Sequence, residues 1–186
     1  MKKKNIIIAG CSRCGKTTLS MKLGKEGFVH YKMDSIKRGI DRNFWDHYQD
    51  DWDIVSPYMA HLIKTMIEDN QLDIVRGKEY YCIDTCHVYP VDIAQCNFKD
   101  VVIVFLWNLN ENIDKKLNSI RKYDKNLWSN SFSDEDLRAY LEWGVWYSKK
   151  VKEQCEQYHI KFFDTGTHFK KALKDAYNYI EDELKK

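Results

Sequence analysis

Gly10-Cys11-Ser12-Arg13-Cys14-Gly15-Lys16-Thr17 spells GxxxxGK[ST] and stands between an apolar run, Asn5-Ile6-Ile7-Ile8-Ala9, and a segment able to be helical, Leu19 to Lys25. Few short patterns restrict a fold as much. Such a loop has to leave a buried strand and open a helix, so that successive backbone N–H groups and the helix dipole converge on an anion. Gly10 and Gly15 let the backbone approach where a Cβ would clash. Four constrained positions meet by chance in well under about 1 in 100 chains of this length. The pattern is a Walker A motif. It predicts that Gly10 to Thr18 cradle the phosphates of ATP, with the Lys16 ammonium on the β- and γ-phosphates and the Thr17 hydroxyl on Mg²⁺.

The other segments alternate. Phe28 to Met33 reads as a second strand ending at Asp34, and a polar, aromatic stretch runs from Ser35 to Trp52. A helix follows from about Val55 to Asn70, in which Tyr58, Leu62, Met66 and Ile67 recur at helical spacing as a core stripe. Tyr80 to Asp84 is a third strand, and Val101 to Trp107 is apolar throughout, as a strand buried on both faces would be. A polar helix is expected from about Asn110 to Tyr123, a loop from Asp124 to Phe132, and a long helix to about Tyr158 with Ser133 as N-cap. Ile160 to Asp164 is a fifth strand, and an amphipathic helix from His168 to Leu184 closes the chain. Strands separated by helices predict an α/β fold, a three-layer αβα sandwich around a five-stranded, mostly parallel sheet of P-loop NTPase type.

Composition narrows the partners. At 186 residues the chain suits one domain, residues 1–186. A net charge of +2 with 31% charged residues lacks the concentrated basic footprint of a nucleic-acid surface. No apolar span of membrane length follows Met1-Lys2-Lys3-Lys4, so neither secretion nor membrane insertion is expected. Six cysteines without a secretory signal point to free thiols in a reducing, cytoplasmic setting. Cys11-Ser12-Arg13-Cys14 is formally CxxC, but no second CxxC or CxxH completes a zinc site around it. Its helix N-terminus and basic neighbours suit a reactive thiol instead.

The phosphate loop near the start, Asp34 after the second strand and a polar helix after the fourth resemble the P-loop nucleoside and nucleotide kinases. Adenylate, shikimate, gluconate and uridine kinases belong to that group. The resemblance implies that Asp34 contacts or activates the acceptor and that residues 35–70 form the acceptor-binding insert. It also implies a mobile lid over 121–132 and a loop beside the adenine at Asp164-Thr165-Gly166-Thr167-His168-Phe169. No NKxD-like guanine motif and no DR[YH] motif is found, which argues against a GTPase and a deoxynucleoside kinase. The lid region is poor in arginine, with Arg121 alone on its leading helix.

The candidate residues follow. Asp34, at the carboxyl edge of a sheet, suits a base for an acceptor hydroxyl; the competing reading is a helix cap. Asp84 stands where a second carboxylate would hold Mg²⁺ with Thr17, and would face the substrate too. His87 is a weaker candidate for the pocket wall. Arg38 and Arg42 could grip an anionic acceptor, and Arg121 could neutralise charge on the transferred phosphoryl. Thr167 is placed beside the nucleotide. Phe44, Trp45, Tyr48, Trp52 and Tyr58, interleaved with Asp46, Asp50, Asp51 and Asp53, form either a stacking pocket for a sugar or nucleoside or a packed helix pair. The function expected is transfer of the γ-phosphoryl of ATP to a small-molecule acceptor, by a monomer or homodimer. The competing class is an NTP-dependent switch acting on a protein partner.

Overall fold

β1 (Asn5–Gly10) lies at the centre of the sheet, and every one of its six residues is buried. This is a computed structural model, and it describes residues 4–39, 51–72, 79–123 and 128–186. The other strands are β2 (Val29–Lys32), β3 (Tyr81–Thr85), β4 (Val101–Trp107) and β5 (Lys161–Asp164). They line up in the order β2-β3-β1-β4-β5, and all four pairings are parallel. The connection from β3 to β4 passes over β1, so the strand order reverses there. Open parallel sheets bind ligands at the carboxyl ends of strands around such a reversal.

Side-chain alternation along the strands builds the three layers. Ile7, Ile83, Phe105 and Trp107 face one side, against α3 (Trp52–Leu72), α4 (Pro90–Gln95) and α6 (Asp134–Gln157). Ile6, Ile8, Val102, Val104 and Leu106 face the other, against α1 (Lys16–Gly24) and α7 (Phe169–Lys185). Burying each such side chain stabilises the fold by about 1.5–3 kcal/mol. Phe105 is fully buried in the first layer, and truncating it to alanine would cost about 3–5 kcal/mol. A smaller cluster of Leu117, Ile120, Leu137 and Leu141 packs α5 (Ile113–Tyr123) on α6, apart from the sheet.

Four differences from the sequence reading have local causes. The second strand ends at Lys32, because Met33 turns into the core and starts α2 (Met33–Gly39). Asp34 therefore sits in the first turn of a helix, where the macrodipole favours a carboxylate, and not at the strand end. On α3 the buried row is Val55, Met59, Ile63 and Ile67, an i,i+4 series. Tyr58 falls off that row and is 61% exposed, so it is not part of the core stripe. α4 was not expected; its six residues are too few to show a period, although Pro90 at its first turn is the usual opening residue. Residues Trp128–Ser131 form a 3-10 turn inside the stretch read as a loop. The Ser133 cap is as expected: its hydroxyl accepts from the Asp136 N–H at 3.0 Å. Among the described residues, no helix is long and apolar enough to cross a membrane.

Candidate functional site

The phosphate loop is shaped by its two glycines. Gly10 has φ 152° and lies so close to β4 that a Cβ would come 1.9 Å from the Leu106 carbonyl oxygen. Gly15, at φ 99° in the left-handed region, is the N-cap of α1, and a Cβ there would press on Leu173 and Phe169. Arg13 also takes a left-handed conformation, φ 61°. Together these turns leave the first turn of α1 open at the carboxyl edge of β1. That is the geometry that gathers backbone N–H groups around a phosphate.

Lys16 is buried beneath the loop, and its Nζ donates to the Cys11 carbonyl at 2.7 Å. Burial opposes its charge, but Cys14, Cys86 and Asp84 outweigh burial and hold its pKa raised. Thr17 Oγ1 donates to Asp84 Oδ2 at 2.6 Å. Asp84 is 2% exposed, and His30 Nε2 lies 3.6 Å from the same oxygen. A hydroxyl and a buried carboxylate at this spacing form an oxygen donor set of the kind Mg²⁺ takes. β3 brings Asp84 here because its register sets Asp84 beside Ile8 of β1.

The two loop cysteines are free thiols. Burial pushes the Cys11 thiol well up, and its hydrogen bond to Cys14 adds to that. Burial also opposes ionisation of Cys14, but the bond from Cys11 and the Lys16 ammonium lower its pKa to about 7.

A second group of side chains meets at the adjacent strand edge. Asp34 from α2 accepts a hydrogen bond from the Cys86 thiol at 3.1 Å, and His87 Nδ1 lies 3.5 Å from the same Asp34 oxygen. Cys86 Sγ is 3.1 Å from His87 Nδ1, and Lys37 Nζ is 3.1 Å from His87 Nε2. Burial, then Lys37, push His87 down to about 4, so the ring is neutral at physiological pH. Burial pushes the Cys86 thiol well up. Trp52 stacks on His87, with ring centroids 5.6 Å apart.

On the far side of the loop a cleft of about 390 Å³ is lined by Arg13, Lys116, Tyr123, Thr165, Gly166 and Phe169, among others. Its floor is tight. Asp164 accepts from the N–H groups of Leu109 and Gly166 and from Asn110 Nδ2, and a Cβ on Gly166 would lie 2.8 Å from the Glu111 nitrogen. Thr167 stands exposed next to this wall, with its hydroxyl 3.4 Å from the Asn110 carbonyl; Thr165 and Gly166 line the cleft itself.

The structure thus brings Lys16, Thr17 and Asp84 together and sets Asp34 with His87 beside them. Arg121 is engaged with the turn after its helix. Its guanidinium donates to Asp134 Oδ1 at 2.7 Å, to the Ser129 carbonyl at 2.8 Å and to the Phe132 carbonyl at 2.7 Å. In this arrangement Arg121 holds the 129–134 turn, with each of its three nitrogens donating to it. Arg13 reaches the same turn from the loop, donating to Ser129 Oγ at 3.1 Å. Tyr140 of α6 donates to the Ser12 hydroxyl at 3.1 Å. Arg38 lies on α2, where its side chain is outside the described residues, as is Arg42. Phe44, Trp45, Asp46, Tyr48 and Asp50 are likewise outside them. Cys86, Lys37, Tyr140 and Ser129 were missed, because single polar residues far apart in sequence carry no spacing signal.

Known structures share this architecture. A gluconokinase from Sinorhizobium meliloti superposes with a TM-score of 0.58 at 12% identity, covering 99% of this chain and 95% of its own. A shikimate kinase from Acinetobacter baumannii in complex with shikimate gives 0.55 at 14% identity, covering 97% and 92%. A dephospho-CoA kinase from Campylobacter jejuni gives 0.50 at 12% identity, covering 98% of each. The chain has the fold of P-loop small-molecule kinases over its full length. No protein-family model and no curated protein matches the sequence.

Proposed function

We propose that this protein is an ATP-dependent kinase that moves the γ-phosphoryl of ATP to a hydroxyl of a small metabolite, nucleoside or nucleotide. The observation that carries the reading is the meeting of Lys16, Thr17 and Asp84 at one strand edge, with the Asp34 carboxylate on the neighbouring one. The kinase fold of the three solved structures supports it.

ATP with Mg²⁺ supplies the transferable phosphoryl and offsets the charge on its oxygens. The chain's own groups do the positioning. Thr17 and Asp84 offer the cation its oxygens, and Lys16 turns from the Cys11 carbonyl to the phosphates. The cleft beside Thr165, Gly166 and Phe169 receives the base, with Thr167 at its rim. Asp34 orients the acceptor hydroxyl and takes its proton at a carboxylate oxygen as that hydroxyl attacks. Trp52 and the neutral His87 wall the acceptor side, with Arg38 and Arg42 following on the same insert. The turn pinned by Arg121 and Arg13 belongs to the lid, residues 121–132, which excludes water from the reacting phosphoryl. The setting is cytoplasmic, and both monomer and homodimer fit the reading.

A metabolite panel scored by ATP consumption tests it, with Lys16→Ala and Asp34→Asn as blanks. Turnover of one hydroxyl-bearing class above both blanks is expected. Failure of nucleosides, sugars, hydroxy acids and nucleoside monophosphates alike would overturn the kinase and favour an NTP-dependent switch.

A further inference from the structure

Asp34, Cys86 and His87 form a three-sided cluster whose ligand atoms lie within 4.8 Å of one another. The three edges are 3.1 Å from Asp34 Oδ1 to Cys86 Sγ, 3.1 Å from Cys86 Sγ to His87 Nδ1, and 3.5 Å from His87 Nδ1 to Asp34 Oδ1. Four-coordinate zinc has bonds of about 2.3 Å to sulfur and about 2.0–2.1 Å to nitrogen and oxygen. At tetrahedral angles those lengths separate the ligand atoms by about 3.3–3.6 Å. The edges of the cluster are near those of such a face, the two to sulfur shorter by about half an ångström; Cys86 Sγ also lies 3.5 Å from His87 Nε2, so the imidazole must rotate to present Nδ1 to a cation.

We infer that Asp34, Cys86 and His87 constitute a binding site for a thiophilic divalent cation of the zinc class, distinct from the oxygen pair Thr17–Asp84. The donor set separates the two. One thiolate, one imidazole and one carboxylate select zinc-like ions, whereas Mg²⁺ keeps to oxygen. Charge balances as well: on binding, the Cys86 thiol loses its proton to solvent, and thiolate plus carboxylate neutralise the cation. The cluster thus passes from a net −1 to neutral, one unit more positive toward the flanking Lys16 and Lys37, and Lys37 must turn from His87 so that Nε2 can carry its proton. Asp34 is 38% exposed, so solvent reaches the cluster, and the fourth position is left for water or an acceptor oxygen. The consequence rests on the kinase reading: a cation held by Asp34 competes with the acceptor's proton for that carboxylate. Binding itself does not rest on it.

Cobalt(II) is the probe, titrated into the metal-free, full-length protein with a non-thiol reductant present. One equivalent should raise a sulfur-to-cobalt charge-transfer band together with the intense visible bands of four-coordinate cobalt. Cys86→Ser should abolish the charge-transfer band, and Asp34→Asn or His87→Gln should weaken binding by at least about tenfold, the loss that even an outer-shell partner carries. The Cys11→Ser/Cys14→Ser double variant should keep the band. No band at one equivalent, a band surviving Cys86→Ser, or one lost with the loop cysteines would overturn the site. Should Cys86→Ser fail to fold, the other two variants decide. The titration needs neither ATP nor acceptor, so its failure is separable from failure of the kinase assignment.

Discussion

Thr17 and Asp84 are 67 residues apart in sequence, yet a 2.6 Å hydrogen bond joins the hydroxyl of one to the carboxylate of the other. The parallel register of β1 and β3 makes that contact, and every function proposed for the phosphate loop depends on it.

Lys16→Ala should leave the fold intact and lower ATP affinity by about 10–100-fold, the worth of a charge-assisted hydrogen bond. Asp84→Asn should affect the metal more than the nucleotide, so that more Mg²⁺ is needed to reach half-maximal ATP turnover. Calorimetry with ATP at fixed and varied Mg²⁺ separates the two; equal losses in both variants would contradict the assignment of Asp84.

Asp34→Asn retains shape but cannot accept a proton. General-base catalysis contributes typically about 10²–10⁴-fold, so kcat should fall within that range while KM for ATP stays within about twofold. A loss confined to KM would make Asp34 an acceptor-binding residue only.

Cys14 carries a pH dependence. Its folded pKa, lowered to about 7, lies below the usual thiol value of about 8.5. Above pH 7 the native state has released a proton that the unfolded chain still holds, so stability from this thiolate rises between about pH 7 and 8.5. It is fully present above that window and lost as pH falls through 7. Lys16 Nζ lies 4.0 Å from this sulfur, so the thiolate competes with phosphates for the ammonium. ATP affinity should fall as pH rises from 6.5 to 8.5, and Cys14→Ser should flatten both this profile and the stability slope. Parallel profiles for parent and variant would rule the effect out.

Arg121→Ala removes three hydrogen bonds from the 129–134 turn. Hydrogen exchange over 128–134 should accelerate by about tenfold or more, while global stability falls by about 1–2 kcal/mol, discounted because the ion pair with Asp134 is largely exposed. Arg121→Lys should not restore protection, since a point charge cannot serve three separated acceptors. Unchanged exchange in the alanine variant would show that the turn holds itself.

What could be read in the sequence was contiguous. The Walker A loop and the apolar strands announce themselves because each is a run whose neighbours obey one rule, burial on both faces or close approach to an anion. The site at the adjacent edge was half legible. Asp34 is a candidate from its place after a strand, but its partners Cys86 and His87 arrive from a loop some fifty residues away, and only strand order brings them there. The sequence could not foresee the turn contacts of Arg121, because a cation on a lid-leading helix has the same signature whether it faces a phosphate or a turn carbonyl. Tyr58 misled because aromatic residues suit a core stripe, and one helical step decides between core and solvent.

β3 offers one further reading. Asp84 meets Thr17 of the phosphate loop's helix and Cys86 meets Asp34, so two residues of one short segment anchor both clusters. Under the kinase proposal, the spacing between the cation's oxygens and the acceptor's carboxylate would then be anchored by that backbone segment. An acceptor insert over residues 35–70 could then be exchanged for another with that spacing unchanged.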